Sequence, residues 1–157
     1  MRIALVSDTH DRILPSLFHA LQEIDEILHA GDVCGPAALA ELEAIAPVTA
    51  VRGNMDSRPL ADRHPDELRL ERGGVRIGLA HGHLFGRGMR RQLAAHFESW
   101  GPDLVVVGHS HEALDHVAGR TRYFNPGTAG GIGAPPTVGI LEIADGRWRV
   151  RHERLES

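Results

Sequence analysis

The feature that most constrains this chain is its opening alternation of short apolar runs with helical spacings. Ile3 to Val6 is continuous and apolar, as a strand buried on both faces should be. From Leu14 to Ile24, apolar residues fall at Leu14, Leu17, Phe18, Leu21 and Ile24, which predicts a helix. Glu26 to Ala30 reads as a second strand. Ala37 to Ile45, behind Gly35-Pro36, reads as a second helix, and Val48 to Val51 as a third strand. A β-α-β-α-β order implies parallel strands joined by crossover helices.

The remainder changes character. The polar stretch from Ser57 to Asp66, with two prolines, is expected to be a surface loop. Leu68 to Leu70 and Val75 to Ala80 predict a hairpin around Gly73-Gly74. Gly88 to Trp100 predicts a helix and Leu104 to Val107 another buried strand. Ala113 to Leu155 reads as mostly β, with turns at Gly119-Arg120 and Asp145-Gly146. With 157 residues and no linker or repeat, one domain spanning 1–157 is expected.

The polar residues that follow each strand carry the chemistry. They are Ser7-Asp8-Thr9-His10, then His29-Ala30-Gly31-Asp32, then Arg52-Gly53-Asn54-Met55-Asp56, then His81-Gly82-His83, then Gly108-His109-Ser110-His111. The carboxyl ends of strands in open α/β sheets are where ligands bind. A lone Asp there is usually a turn former or helix cap. Asp, His or Asn after five of the strands is a different matter. Carboxylate, imidazole and amide donors suit Mn, Fe, Zn or Ni. The lone cysteine, Cys34, belongs to none of these motifs, which argues against a structural zinc site. Glycines 31, 53, 82 and 108 each adjoin a candidate ligand, where a small residue allows close backbone approach.

Composition excludes several classes. The net charge of −4 offers no basic nucleic-acid surface. No run approaches the roughly 18 apolar residues of a membrane span, and Met1 to Asp8 is too short for a secretory core. One cysteine permits no internal disulfide. The expectation is a cytoplasmic protein.

Asp8-x-His10, Gly31-Asp32, Gly53-Asn54, His81-Gly82 and Gly108-His109-x-His111 resemble the ordered motifs of the calcineurin-like metallophosphoesterases, most closely the small bacterial and archaeal phosphodiesterase branch. Asn125-Pro126-Gly127-Thr128 is similar to a motif near the end of that branch. The resemblance implies an α/β fold, a four-layer αββα sandwich of two mixed sheets flanked by helices. It implies two divalent ions, with Mn the first choice and Ni, Fe or Zn alternatives. Asp8, His10 and His111 would hold one ion, Asn54, His81 and His109 the other, and Asp32 would bridge them. It further implies hydrolysis of a small phosphoester by a hydroxide held between the metals. A homodimer is compatible with the resemblance.

One position departs from the pattern. Many relatives carry His after Gly-Asn, where it is thought to protonate the leaving group, and here that residue is Met55. His83 is a candidate acid by its nearness to His81, although a hydrogen-bonding support role is the plainer reading. With Asp32 and Asn54 it completes the candidate catalytic set. His29 reads equally as a packed strand-end residue or a support for the site. Arg87, Arg90 and Arg91 could attract phosphate, but a solvated helix face is the default. A phosphomonoesterase is the alternative activity, weakened by Met55. A scaffold, as in the retromer subunit of similar fold, is the alternative from another class. That relative has lost ligands including the bridging aspartate, whereas the whole set is present here.

Overall fold

The computed structural model describes residues 1–86 and 88–156, so Arg87 lies outside the described residues. Parallel strands β1 (Arg2–Val6), β2 (Glu26–His29) and β3 (Val48–Ala50) form one half of a first sheet. Helices α1 (Pro15–Ala20) and α2 (Pro36–Glu43) make the crossovers. Each starts with proline in its first turn, where the missing N–H has no intrahelical role. The first helix is shorter than its apolar spacing suggests. Glu23 takes φ 58°, incompatible with continuing the helix, yet Leu21 and Ile24 remain buried.

Residues 57–66, expected to be a loop, contain a short helix α3 (Arg58–Arg63). Proline again stands at its start, and Leu60 buries itself against Val33, Ala38 and Leu39. One apolar contact was too little signal to read as a helix.

The second sheet contains β4 (Glu67–Arg72), β5 (Val75–Ala80), β6 (Leu104–Val107), β7 (Leu114–Ala118) and β8 (Thr121–Asn125), in the order β4-β5-β6-β8-β7. Helix α4 (Met89–Glu98) joins β5 to β6. The last hairpin, β9 (Thr137–Ala144) and β10 (Arg147–Arg154), returns to the first sheet, where β9 runs antiparallel to β1. The first sheet therefore reads β10-β9-β1-β2-β3.

Strand alternation sorts the core into layers. Ile3, Leu5 and Leu28 face Ile77, Leu79, Leu104, Val106 and Phe124 between the sheets. Ala4, Val6 and Ile27 point the other way, onto Leu17 of α1, Leu21 just after it and Leu42 of α2. Val105, Val107 and Tyr123 meet Leu93 and Phe97 of α4. The result is the four-layer sandwich of two mixed sheets flanked by helices. Glu26 and Arg72 tie the sheets at one side, with Arg72 Nε and Nη2 donating to the two carboxylate oxygens at 2.6 and 2.8 Å.

Register places the functional residues. Val6 pairs with His29 and His29 with Ala50, while Ala80 pairs with Val107. Val106 pairs with Phe124, which brings Asn125 level with Val107. The parallel strands of each sheet thus end together, and the segments that follow them emerge at one edge of the sandwich.

Candidate metal centre

Asp8, His10, Asp32, Asn54, His81, His109 and His111 all emerge at that edge, on the turns after β1, β2, β3, β5 and β6. Asp8, Asp32 and His81 are buried, His10 and His111 half-buried, and Asn54 and His109 exposed. The set therefore lines a site that is closed at its floor and open at its mouth.

The hydrogen bonds fix which atoms face inward. His81 Nδ1 donates to the Ala30 carbonyl at 2.7 Å, so a neutral ring presents the bare lone pair of Nε2. That atom faces Asn54 Oδ1 at 3.1 Å and Asp32 Oδ2 at 3.3 Å. His111 Nδ1 likewise donates to the Ile132 carbonyl at 2.7 Å. Its Nε2 faces His10 Nε2 at 3.1 Å and Asp8 Oδ1 at 3.2 Å. The inward Nε2 of His81 thus confronts an Asp32 oxygen and that of His111 an Asp8 oxygen, acceptor against acceptor, an arrangement that a proton or a cation must relieve.

Among the described residues, two groups have donor atoms close enough to hold a metal ion: Asp8 with His10 and His111, and Asp8 with Asp32 and His81. Asp32 Oδ2 lies 3.3 Å from His81 Nε2 and 3.8 Å from His10 Nε2, so one oxygen faces both groups. Asp8 also belongs to both. Asp8 Oδ2 accepts from the hydroxyl of Ser7 and the N–H of His109, whereas buried Oδ1 has no hydrogen-bond partner. A bare, buried carboxylate oxygen beside two imidazole nitrogens fits a divalent cation. His109 enters neither group, although its ring lies 5.2 Å from that of His81.

The electrostatics agree with a place for positive charge. Burial pushes the Asp8 carboxyl up, since the charged form loses water. Burial acts in the same sense on Asp32, but the His81 hydrogen bond and charge and the Met55 N–H outweigh it and hold Asp32 below its usual value. Burial alone would lower His81, yet Asp32 and Asp8 raise it. His29 is buried completely and driven down to about 3, so it is neutral. Its Nδ1 accepts the Gly31 N–H at 3.2 Å and its Nε2 faces Thr9 Oγ1 at 3.3 Å, which makes it a support beneath the site.

The backbone is strained where the candidate ligands stand. Asp8, His10, Asp32, His109 and His111 have φ of 53°, 48°, 57°, 70° and 61°. Such conformations cost on the order of 1–3 kcal/mol each and persist only when the surroundings impose them. Here Asp8 N–H donates to the Gly31 carbonyl and His10 N–H to that of Asp32, both at 3.1 Å. Close approach explains two glycines. A Cβ on Gly53 would overlap Asp32 Oδ1, and one on Gly108 would overlap Ser7 Oγ.

Several supporting residues had no role assigned from sequence. Asn125 Nδ2 donates to the Gly108 carbonyl and to Ser110 Oγ, both at 3.0 Å, which pins the His109–His111 turn. Thr128 Oγ1 donates to the Asp8 carbonyl at 2.8 Å. The Asn125–Thr128 motif was the available signal. Asp56 accepts from the N–H of Cys34 at 2.8 Å and of Gly53 at 2.7 Å, joining two site turns. Ser7 and Asp56 carried no signal beyond their nearness to motifs. Cys34 Sγ lies 3.5 Å from His10 Nδ1, and burial raises the thiol to about 12, which keeps it protonated. Arg90 and Arg91 are exposed on α4.

Residues 1–146 match the model of the calcineurin-like phosphoesterase superfamily domain. The chain belongs to this superfamily. A probable metallophosphoesterase of Methanothermobacter thermautotrophicus is 38% identical over 133 residues, covering 82% of this chain and 77% of that protein. A phosphodiesterase of Methanocaldococcus jannaschii is 27% identical over 167 residues, covering 95% of this chain and 97% of its own. Vps29 of Chaetomium thermophilum superposes with a TM-score of 0.84, covering 99% of this chain and 97% of that one. At 22% identity the last likeness shows the fold alone. Among the described residues, no helix is long and apolar enough to cross a membrane.

Proposed function

We propose that this phosphoesterase hydrolyses phosphodiesters with the help of two divalent ions, manganese foremost. The observation that carries the reading is the pair of adjoining donor groups that meet at Asp8 and Asp32, with Asp8 Oδ1 buried and otherwise unpartnered. His10, His111 and Asp8 would hold one ion, and His81, Asn54 and His109 the other, with Asp32 between them. When bound, two such ions supply a water acidic enough to attack at neutral pH and offset charge on the phosphoryl oxygens.

The chain's own residues do the rest. The Ala30 and Ile132 carbonyls orient His81 and His111 with Nε2 inward, which fixes the neutral tautomer that ligation needs. The Met55 N–H, at 2.7 Å from Asp32 Oδ1, holds that carboxylate in place and leaves Oδ2 facing both groups. The Met55 side chain has no proton to give a leaving group. A diester with a leaving group that departs readily needs such help least, and the phosphodiesterase likeness points the same way. The test compares an activated aryl phosphodiester with its matching monoester, with Mn, Ni, Fe and Zn in turn. Faster diester turnover is expected, and a clear monoester preference would make the protein a phosphatase.

A further inference from the structure

We propose that Met55 and Leu84 form an apolar rim that selects phosphodiesters carrying a flat aromatic group on the ester that is retained. The inference rests on the phosphodiesterase reading above. Exposed large hydrophobic residues are few among the described residues: Met1, Phe18, Met55, Leu84 and Val117. Single ones at a surface mean little. Two of these, however, stand on two different turns of the metal centre. Met55 directly follows Asn54 and is 58% exposed, while Leu84 directly follows His83 and is 60% exposed.

Both are carried on fixed backbone. The Met55 N–H is bonded to Asp32, and Asp56 anchors the same turn to Cys34 and Gly53. Leu84 lies in the single 3-10 turn His83–Phe85, which the Phe85 N–H closes onto the Gly82 carbonyl at 3.0 Å. That turn belongs to the mouth, since the His83 ring lies 5.4 Å from His81 and 6.4 Å from His109. The backbone of both positions is thus set before a ligand arrives, which limits the ordering that contact requires to the side chains themselves. The charged floor takes the phosphoryl group, and the apolar rim is left for the organic group. A thioether and an isobutyl group favour an aromatic ring over a small alkyl or a charged group, and methionine sulfur makes favourable contacts with rings.

The experiment uses two diesters with the same leaving group, phenyl and methyl p-nitrophenyl phosphate, so that their kcat/KM ratio reads only the retained ester. Calorimetric binding of diphenyl and dimethyl phosphate gives a second reading without turnover. The manganese-loaded protein should prefer the phenyl ester by about 10-fold or more. Met55→Ser and Leu84→Ser should each reduce that ratio several-fold and weaken diphenyl phosphate binding, while Met55→Leu retains both. Equal rates on the two esters, or a ratio that neither serine variant moves, would overturn the inference and leave the phosphodiesterase reading standing. Hydrolysis of neither diester, with a monoester cleaved instead, would sink the phosphodiesterase reading and this inference with it.

Discussion

At the scale of single residues, the site is built on carboxylates whose surroundings could hold a metal ion. Asp32→Asn removes the charge on the oxygen that faces both donor groups while keeping the side-chain shape. Diester turnover should fall by orders of magnitude, with metal content reduced and the far-ultraviolet circular dichroism unchanged. Native turnover in that variant would remove Asp32 from its bridging position. A second prediction concerns the leaving group. General acid catalysis typically contributes about 10²–10⁴-fold, and Met55 cannot provide it. His83 Nδ1 is buried without a hydrogen-bond partner, and burial, with His81 and His109 nearby, lowers the ring's proton affinity. Rates on a series of aryl diesters should therefore fall steeply with rising phenol pKa, in parallel for wild type and His83→Ala. A flat wild-type series made steep by His83→Ala would instead identify His83 as the acid.

At the scale of elements, each site turn is held by a neighbour distant in sequence. Asn125→Ala would release the Gly108 carbonyl and Ser110 together. The expected loss is about 1–3 kcal/mol of stability and about 10–100-fold in metal affinity, read by denaturant midpoint and metal titration. Unchanged metal affinity would mean that the His109–His111 turn holds itself. The ligand turns were legible in the sequence because each follows a short, mostly apolar run of strand length. The roles of the helper residues were not: Asp56 and Asn125 bond to Cys34 and Gly108 only once separate strands align, Asn125 being visible only as part of its motif, and Ser7, bonded to adjacent Asp8, has no pattern of its own. Nor was the return of β9 to the first sheet legible. Its pairing of Leu5 with Gly139 spans most of the chain, and a hairpin signal specifies its turn without specifying its neighbour. The helix at 58–63 was not legible either, because one buried leucine gives no periodicity.

At the scale of the molecule, the two sheets are bound by their shared apolar core and by the Glu26–Arg72 pair. The Arg72 hydrogen bonds lead in lowering Glu26 below its ordinary 4.5, against the opposing effect of burial. A carboxylate lowered in the folded state adds stability above its unfolded pKa and loses it as pH falls through the folded value. Glu26→Gln should therefore destabilise the protein at pH 7 by about 1–2 kcal/mol. The gap from wild type should narrow as pH falls below about 4.5. A gap that stayed constant with pH would show that the pair contributes through packing alone.

The decisive property of the centre is whether the donor groups at Asp8 and Asp32 hold two ions that turnover requires. The direct measurement strips the protein with chelator, titrates manganese back, and follows bound metal and diester hydrolysis together. The predicted result is two ions per chain, with activity rising as the second is taken up, and an Asp32→Asn variant that reaches neither. Full activity in the stripped protein, or no manganese bound at any concentration that supports hydrolysis, would contradict it.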